Sequence, residues 1–122
     1  MTFLGKVLEL RSQKVFRRRM DAGIADVISR CLRAAVEGPF FSDAEMENLF
    51  EQDRASLSVL AGMWERMNLA SPHLRRSIES ILEMLLERGK RDPAGWERWI
   101  GMPREAVEAA LEAFREMTSR RS

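Results

Sequence analysis

One run of thirteen residues constrains the fold of this chain more than any other: Gly38-Pro39-Phe40-Phe41-Ser42-Asp43-Ala44-Glu45-Met46-Glu47-Asn48-Leu49-Phe50. Gly38 can take the left-handed conformation that closes a helix, and Pro39 cannot continue one. Ser42 followed three residues later by Glu45 is a capping box. The serine oxygen accepts from the Glu45 amide and the Glu45 carboxylate reaches back to the Ser42 amide. Phe41 and Met46 occupy the two positions of a hydrophobic staple, which sets the angle at which the chain enters the helix. Loss of the Ser42 cap would cost roughly 1 kcal/mol. The run therefore predicts one helix ending near residue 37 and another beginning at 43.

The remaining junctions follow the same logic. Asp53 caps a helix over 54–68. Ser71-Pro72 places a cap before a proline at the first helical position and opens a helix over 72–88, which Gly89 closes. Asp92-Pro93 opens a short helix over 93–100, ended by Gly101. Met102-Pro103 leads into a last helix over 103–118. Between the junctions the apolar spacing is helical. Ile24, Val27, Ile28, Cys31, Leu32 and Ala35 form one stripe on a helix over 21–37. Met46, Leu49 and Phe50 form the inner face of the helix at 43–52. Leu57, Leu60, Met63, Trp64 and Met67 share one side of the next. Leu74, Ile78, Ile81, Leu82 and Leu85 line the 72–88 helix, the most buried of the set. Trp96, Trp99 and Ile100, then Val107, Ala110, Leu111, Phe114 and Met117, complete the core. Residues 3–19, with Phe3, Leu4, Val7, Leu8, Val15 and Phe16, predict a further helix. Gly5 and the Val-Leu-Glu-Leu alternation leave a strand open there.

Composition agrees. Tyrosine is absent, 45% of residues are hydrophobic and 32% are charged; Leu, Ala, Met, Glu and Arg outweigh Val, Ile and Thr, which favours helix. The expected fold class is all-α, a compact irregular (orthogonal) bundle of about six to seven helices in a single domain spanning 1–122, with 1–2 and 119–122 frayed. One cysteine cannot form an internal disulfide, and no apolar run approaches a membrane span, so a cytoplasmic protein without membrane contact is expected.

Charge is partitioned along the chain although the net is only +1. Residues 1–36 carry +5, residues 37–70 carry −5 and residues 71–122 carry +1. The basic and acidic thirds either pack together or present an interaction surface of one sign. The dense basic cluster is Lys14, Arg17, Arg18 and Arg19. The acidic one is Glu45, Glu47 and Glu51 on the short helix. These seven residues are the candidate partner-binding set.

Catalytic and metal chemistry find little purchase. His73 is the single histidine and there is no cysteine pair, which excludes an ordinary zinc site within one chain. Glu79, Glu83 and Glu87, like Glu108, Glu112 and Glu116, stand at i, i+4, i+8, but no Glu-x-x-His accompanies them. They read as solvated helix faces. There is no Gly-x-Ser-x-Gly and no phosphate-binding Gly-rich loop. Cys31 lies inside an apolar stripe and reads as core. No catalytic residue, metal or cofactor is expected. Residues 96–114 can be read as helix–turn–helix, with Trp96, Ile100, Gly101, Met102 and Val107 in the buried and turn positions. Glu97, however, stands where a small residue belongs, and Glu105, Glu108, Glu112 and Glu116 on the would-be recognition helix would repel phosphates.

Through Ala34-Ala35-Val36-Glu37-Gly38-Pro39-Phe40-Phe41-Ser42-Asp43 and Leu49-Phe50, residues 30–117 resemble a group of small, uncharacterised all-helical bacterial proteins. These have a Gly-Pro-Phe-Phe segment, an acidic short helix ending Leu-Phe and a later Trp-containing helix pair. Here Leu49-Phe50 runs into Glu51-Gln52, where that group has glycine and an apolar residue. The resemblance implies an all-helical fold and brings no activity with it.

The expected function is a non-enzymatic protein–protein interaction module of a bacterial cytoplasm, of an immunity, inhibitor or antitoxin kind, by analogy with other small helical proteins that lack catalytic motifs. Two alternatives remain. One is weak, sequence-independent nucleic-acid binding through residues 14–19. The other is a homodimer that buries Trp96, Trp99 and the apolar surplus of helix 72–88.

Overall fold

The computed structural model of the chain describes residues 22–119. It is an all-α bundle. Six α-helices follow in order: α1 Ala22–Glu37, α2 Asp43–Phe50, α3 Arg54–Met63, α4 Pro72–Gly89, α5 Pro93–Trp99 and α6 Arg104–Ser119; one 3-10 turn, Trp64–Arg66, follows α3. The segment 3–19 lies outside the described residues. Helices α1 and α4 make the centre: α1 packs on α3, α6 and α4, and α4 packs on α6, α2 and α5. Among the described residues no helix is long and apolar enough to cross a membrane.

The helix starts are built as their sequences dictate. Ser42 accepts from the Glu45 amide at 3.1 Å and the Glu45 carboxylate accepts from the Ser42 amide at 3.1 Å, closing the capping box. Asp53 accepts from Ser56 at 2.8 Å, Ser71 from Leu74 at 3.5 Å and Asp92 from Gly95 at 2.9 Å. Each bond satisfies an amide that the helix itself leaves unpaired. Phe41 and Met46, the two staple residues, are both buried.

Two helix ends fall as expected, α1 at Glu37 and α5 before Gly101, whose amide donates to the Trp96 carbonyl at 2.9 Å; the others differ. Gly38 does not enter the left-handed region; Gly101 (φ 65) and Glu51 (φ 56) do. Gly38 is needed for a different reason. A Cβ there would stand 2.5 Å from the Ala34 carbonyl and 3.2 Å from the Trp99 ring. Gly89 does not close α4 but belongs to it, and a Cβ there would meet the Trp96 ring at 2.2 Å. Its role is to let the indole lie against the helix. Helix α3 stops at Met63 and not near residue 68, so Met63 turns outward and is 46% exposed.

Distant arginines close the helix ends. The last carbonyls of a helix have no partner within it and carry the negative end of its dipole. Arg54 of α3 donates to the Val36 carbonyl at the end of α1, and to Phe41 at 2.7 Å just beyond it. Arg104 of α6 donates to Leu86 near the end of α4 at 2.8 Å. Arg30 of α1 donates to Ile100 after α5 at 3.3 Å, and Arg75 of α4 donates to Thr118 in the last turn of α6 at 2.7 Å. Arg75 thus serves a neighbouring helix and makes no ion pair with Glu79. Each contact is charge-assisted and ties two elements far apart in sequence.

The core is a single cluster. Trp64, Phe114, Leu32, Ile78 and Leu82 are among its fully buried members. Trp64 meets Phe114 edge-on at 6.3 Å, and its Nε1 donates to Ser29 Oγ at 2.9 Å. Cys31 is wholly buried, and burial pushes its thiol up to about 12 against a small opposing pull from Arg30. Such a thiol is a core side chain and not a nucleophile. Ile100, Val107 and Phe114 are also buried, while Glu97 faces outward. The turn between α5 and α6 is locked by the Trp96 Nε1 bond to the Met102 carbonyl at 2.7 Å.

Candidate functional site

The acidic helix α2 is where expectation and structure have most to say to one another. Its amino-terminal carboxylates are tied down. Asp43 pairs with Arg54 Nε at 2.6 Å. Glu45 closes the capping box and also pairs with Arg88, which donates to the Phe40 carbonyl at 3.2 Å and stands 5.3 Å from the Phe41 ring centre. The hydrogen bond from Arg88, then the Ser42 amide, hold the Glu45 carboxyl down at about 2. Asp53, just beyond α2, is likewise lowered by the Ser56 amide it caps.

The carboxyl-terminal end of the same helix is different. Glu47 and Glu51 are exposed and make no ion pair among the described residues. Glu51 holds φ 56 and ψ 28, and its amide donates to the Glu47 carbonyl at 3.0 Å. A left-handed residue there turns the chain sharply toward Gln52 and Asp53 and swings the Glu51 side chain outward. Leu49, expected on the buried face beside Met46 and Phe50, is instead 39% exposed. An eight-residue helix seated on α4 along one edge buries only Met46 and Phe50.

This end of α2 forms one wall of a groove. The amino-terminal half of α4 forms the other. The groove has a volume of about 280 Å³ and is lined by Leu49, Phe50, Glu51, His73, Arg76, Ser77 and Ser80. Ser77 is buried, and its hydroxyl accepts from Gln52 Nε2 at 3.1 Å, which pins the 51–53 turn to α4. His73 and Arg76 are exposed on the opposite rim. Glu51 and Arg76 thus line one groove with opposite charges and do not pair with each other.

Sequence reasoning placed Glu47 and Glu51 on this surface and missed its other half. His73, Ser77 and Ser80 are not joined by any motif, yet i, i+4, i+7 spacing does put them on one side of α4, with Arg76 beside them. That spacing was legible; what could not be read was that the end of α2 lies against it. A histidine and two serines do share the groove, but no hydrogen bond joins imidazole to hydroxyl, and Ser77 is occupied by Gln52. The arrangement suits recognition by charge and shape. Of the other residues in the expected set, Glu45 is engaged inside the fold, and Lys14, Arg17, Arg18 and Arg19 lie outside the described residues. So does the basic third of the chain up to residue 21.

Among the described residues no group of three or more histidine, cysteine, aspartate or glutamate side chains comes close enough to hold a metal ion. The outward face of α6 carries Glu105, Glu108, Glu112 and Glu116. No family model, no curated protein and no solved structure matches the chain.

Proposed function

We propose that the chain is a non-enzymatic protein-binding module whose docking surface is the rim of the α2–α4 groove. Glu47, Leu49 and Glu51 make one side of it, and His73 and Arg76 the other. The observation that carries this reading is the contrast within α2. Asp43 and Glu45 are consumed by Arg54 and Arg88, whereas Glu47 and Glu51 stand without ion pairs among the described residues, beside an exposed leucine. An unpaired pair of carboxylates flanking an apolar side chain suits a partner segment with an apolar residue between lysines or arginines. Charge then steers the encounter and fixes register, and the groove takes the apolar anchor. A role of the immunity, inhibitor or antitoxin kind in a bacterial cytoplasm fits such a module by analogy with other small helical proteins, not by any residue here.

The test is capture by the immobilised full chain from a lysate of the cells that make it, with each captured protein quantified by mass spectrometry. Wild type is compared with Glu47→Lys/Glu51→Lys and with Glu108→Lys/Glu112→Lys, a charge-matched change on the outer face of α6. A genuine partner falls at least tenfold with the first variant and is retained by the second. Equal recovery on all three overturns the reading.

A further inference from the structure

Among the described residues helix α3 presents a surface unlike that of the other helices. Its outward residues are Ala55, Ser56, Ser58, Val59, Gly62 and Met63, and none is charged. Every other helix turns at least one Asp, Glu, Lys or Arg to solvent, in a chain where 32% of residues are charged. Val59 is 54% and Met63 46% exposed, the two most exposed large apolar side chains described. They stand at i and i+4, so they form one patch.

The course of the chain says what lies near that patch. Helices α1 and α3 run antiparallel, because Arg54 at the start of α3 meets Val36 at the end of α1, while Trp64 just after α3 meets Ser29. Residue 22 therefore lies beyond the Met63 end of α3. The 21 residues that precede it are outside the described part of the chain, and among them Phe3, Leu4, Val7 and Leu8 make an apolar group. Thirteen residues separate Leu8 from Ala22. They span about 20 Å as helix or about 43 Å extended, against about 15 Å for ten-residue α3. Either conformation reaches the patch.

The geometry points to the Phe3–Leu8 stretch of the same chain as the cover of the Val59–Met63 face. Size decides between this occupant and a second copy. Stable association between separate proteins buries on the order of 800 Å² per partner, which a single short helix face does not supply. A tethered segment needs far less, because the tether holds it at a local concentration of about a millimolar. The docked segment would carry Arg17, Arg18 and Arg19 close to the body of the bundle, where a protease reaches them poorly.

Trypsin cleavage after Arg17, Arg18 or Arg19, followed by mass spectrometry on the full chain, tests this. Val59→Glu/Met63→Glu changes the patch, and Val7→Glu/Leu8→Glu changes its cover. Because the first pair sits on the surface and the second lies outside the described core, urea unfolding serves to confirm that both variants keep the bundle. Each pair alone is expected to speed cleavage at least tenfold, and the two together to speed it no further. Equal rates in all chains overturn the proposal. So does acceleration by Val7→Glu/Leu8→Glu alone, which places the segment elsewhere, and so does a wild-type rate that depends on protein concentration, which assigns the face to a second copy.

Discussion

The two ends of the eight-residue α2 are chemically alike, yet they do opposite work. At the first end Asp43 and Glu45 face the arginines of α3 and α4, and their carboxylates become part of the joint between three helices. At the second end Glu47 and Glu51 face solvent beside Leu49. Acidic side chains on one short helix thus divide into a structural set and a free set, and the division follows from which neighbour brings an arginine within reach. A cluster of like charges in sequence is not a single surface.

The largest effect should come from cutting the structural end at its hub. Arg54 bonds the carbonyls of Val36 and Phe41 and pairs with Asp43. Two charge-assisted bonds to carbonyls with no other partner are worth about 3 kcal/mol together. Arg54→Ala should lower stability by that amount in urea unfolding at pH 7, whereas Arg66→Ala, on an exposed side chain of the 3-10 turn, should change it by less than about 0.5 kcal/mol. Comparable losses would mean that the carbonyl contacts of Arg54 contribute nothing.

A smaller effect belongs to Glu45 and is seen best against pH. Its carboxyl sits at about 2 in the folded chain against an ordinary 4.5. A depressed pKa stabilises the fold above the unfolded value, and that contribution is lost as pH falls from about 4.5 to about 2. Glu45→Gln keeps an acceptor for the Ser42 amide but has no proton to bind and no charge for Arg88. The urea midpoint of wild type should therefore exceed that of the variant at pH 6, and the gap should close on acidification through this window. A gap independent of pH would show that Arg88 does not hold the carboxylate.

The smallest effect is expected at the free end, with the opposite sign. Glu51 adopts φ 56, a conformation that costs a non-glycine residue about 1 kcal/mol or slightly more. Glycine takes it without strain but loses more freedom on folding. Glu51→Gly should raise stability by up to about 1 kcal/mol while weakening capture of a partner. Stability and capture falling together would place Glu51 in the structural set after all.

How much of this was legible follows one physical divide. Helix starts were legible because a cap is local. Ser42, Asp53, Ser71 and Asp92 each bond an amide three residues on, in the structure as in the pattern. The periodic core residues of α1, α4 and α6 were legible for the same reason, since a long amphipathic helix has one face to bury. Most of the ends were not. Gly38 and Gly89 read as helix terminators, but their backbones are where Trp99 and Trp96 press close. Leu49 and Met63 read as core because their spacing is right. They face out because α2 and α3 are too short for every periodic position to find a neighbour. At the candidate site, Glu47 and Glu51 were picked out by charge alone, while Glu45 could not be separated from them without knowing where Arg88 lies. His73 and Arg76 joined the site only through the packing of α2 on α4.

The sequence by itself determined the helical class, the four capped starting points and most of the buried stripe, because caps, prolines and 3.6-residue periodicity act within a few residues of where they are written. The tertiary structure alone decided which distant side chains meet the last carbonyls of the helices and which charges are spent. Arginines at 30, 54, 75 and 104 reach carbonyls 13 to 70 positions away. Such partners are chosen by the three-dimensional course of the chain, and nothing in the spacing of the residues encodes them.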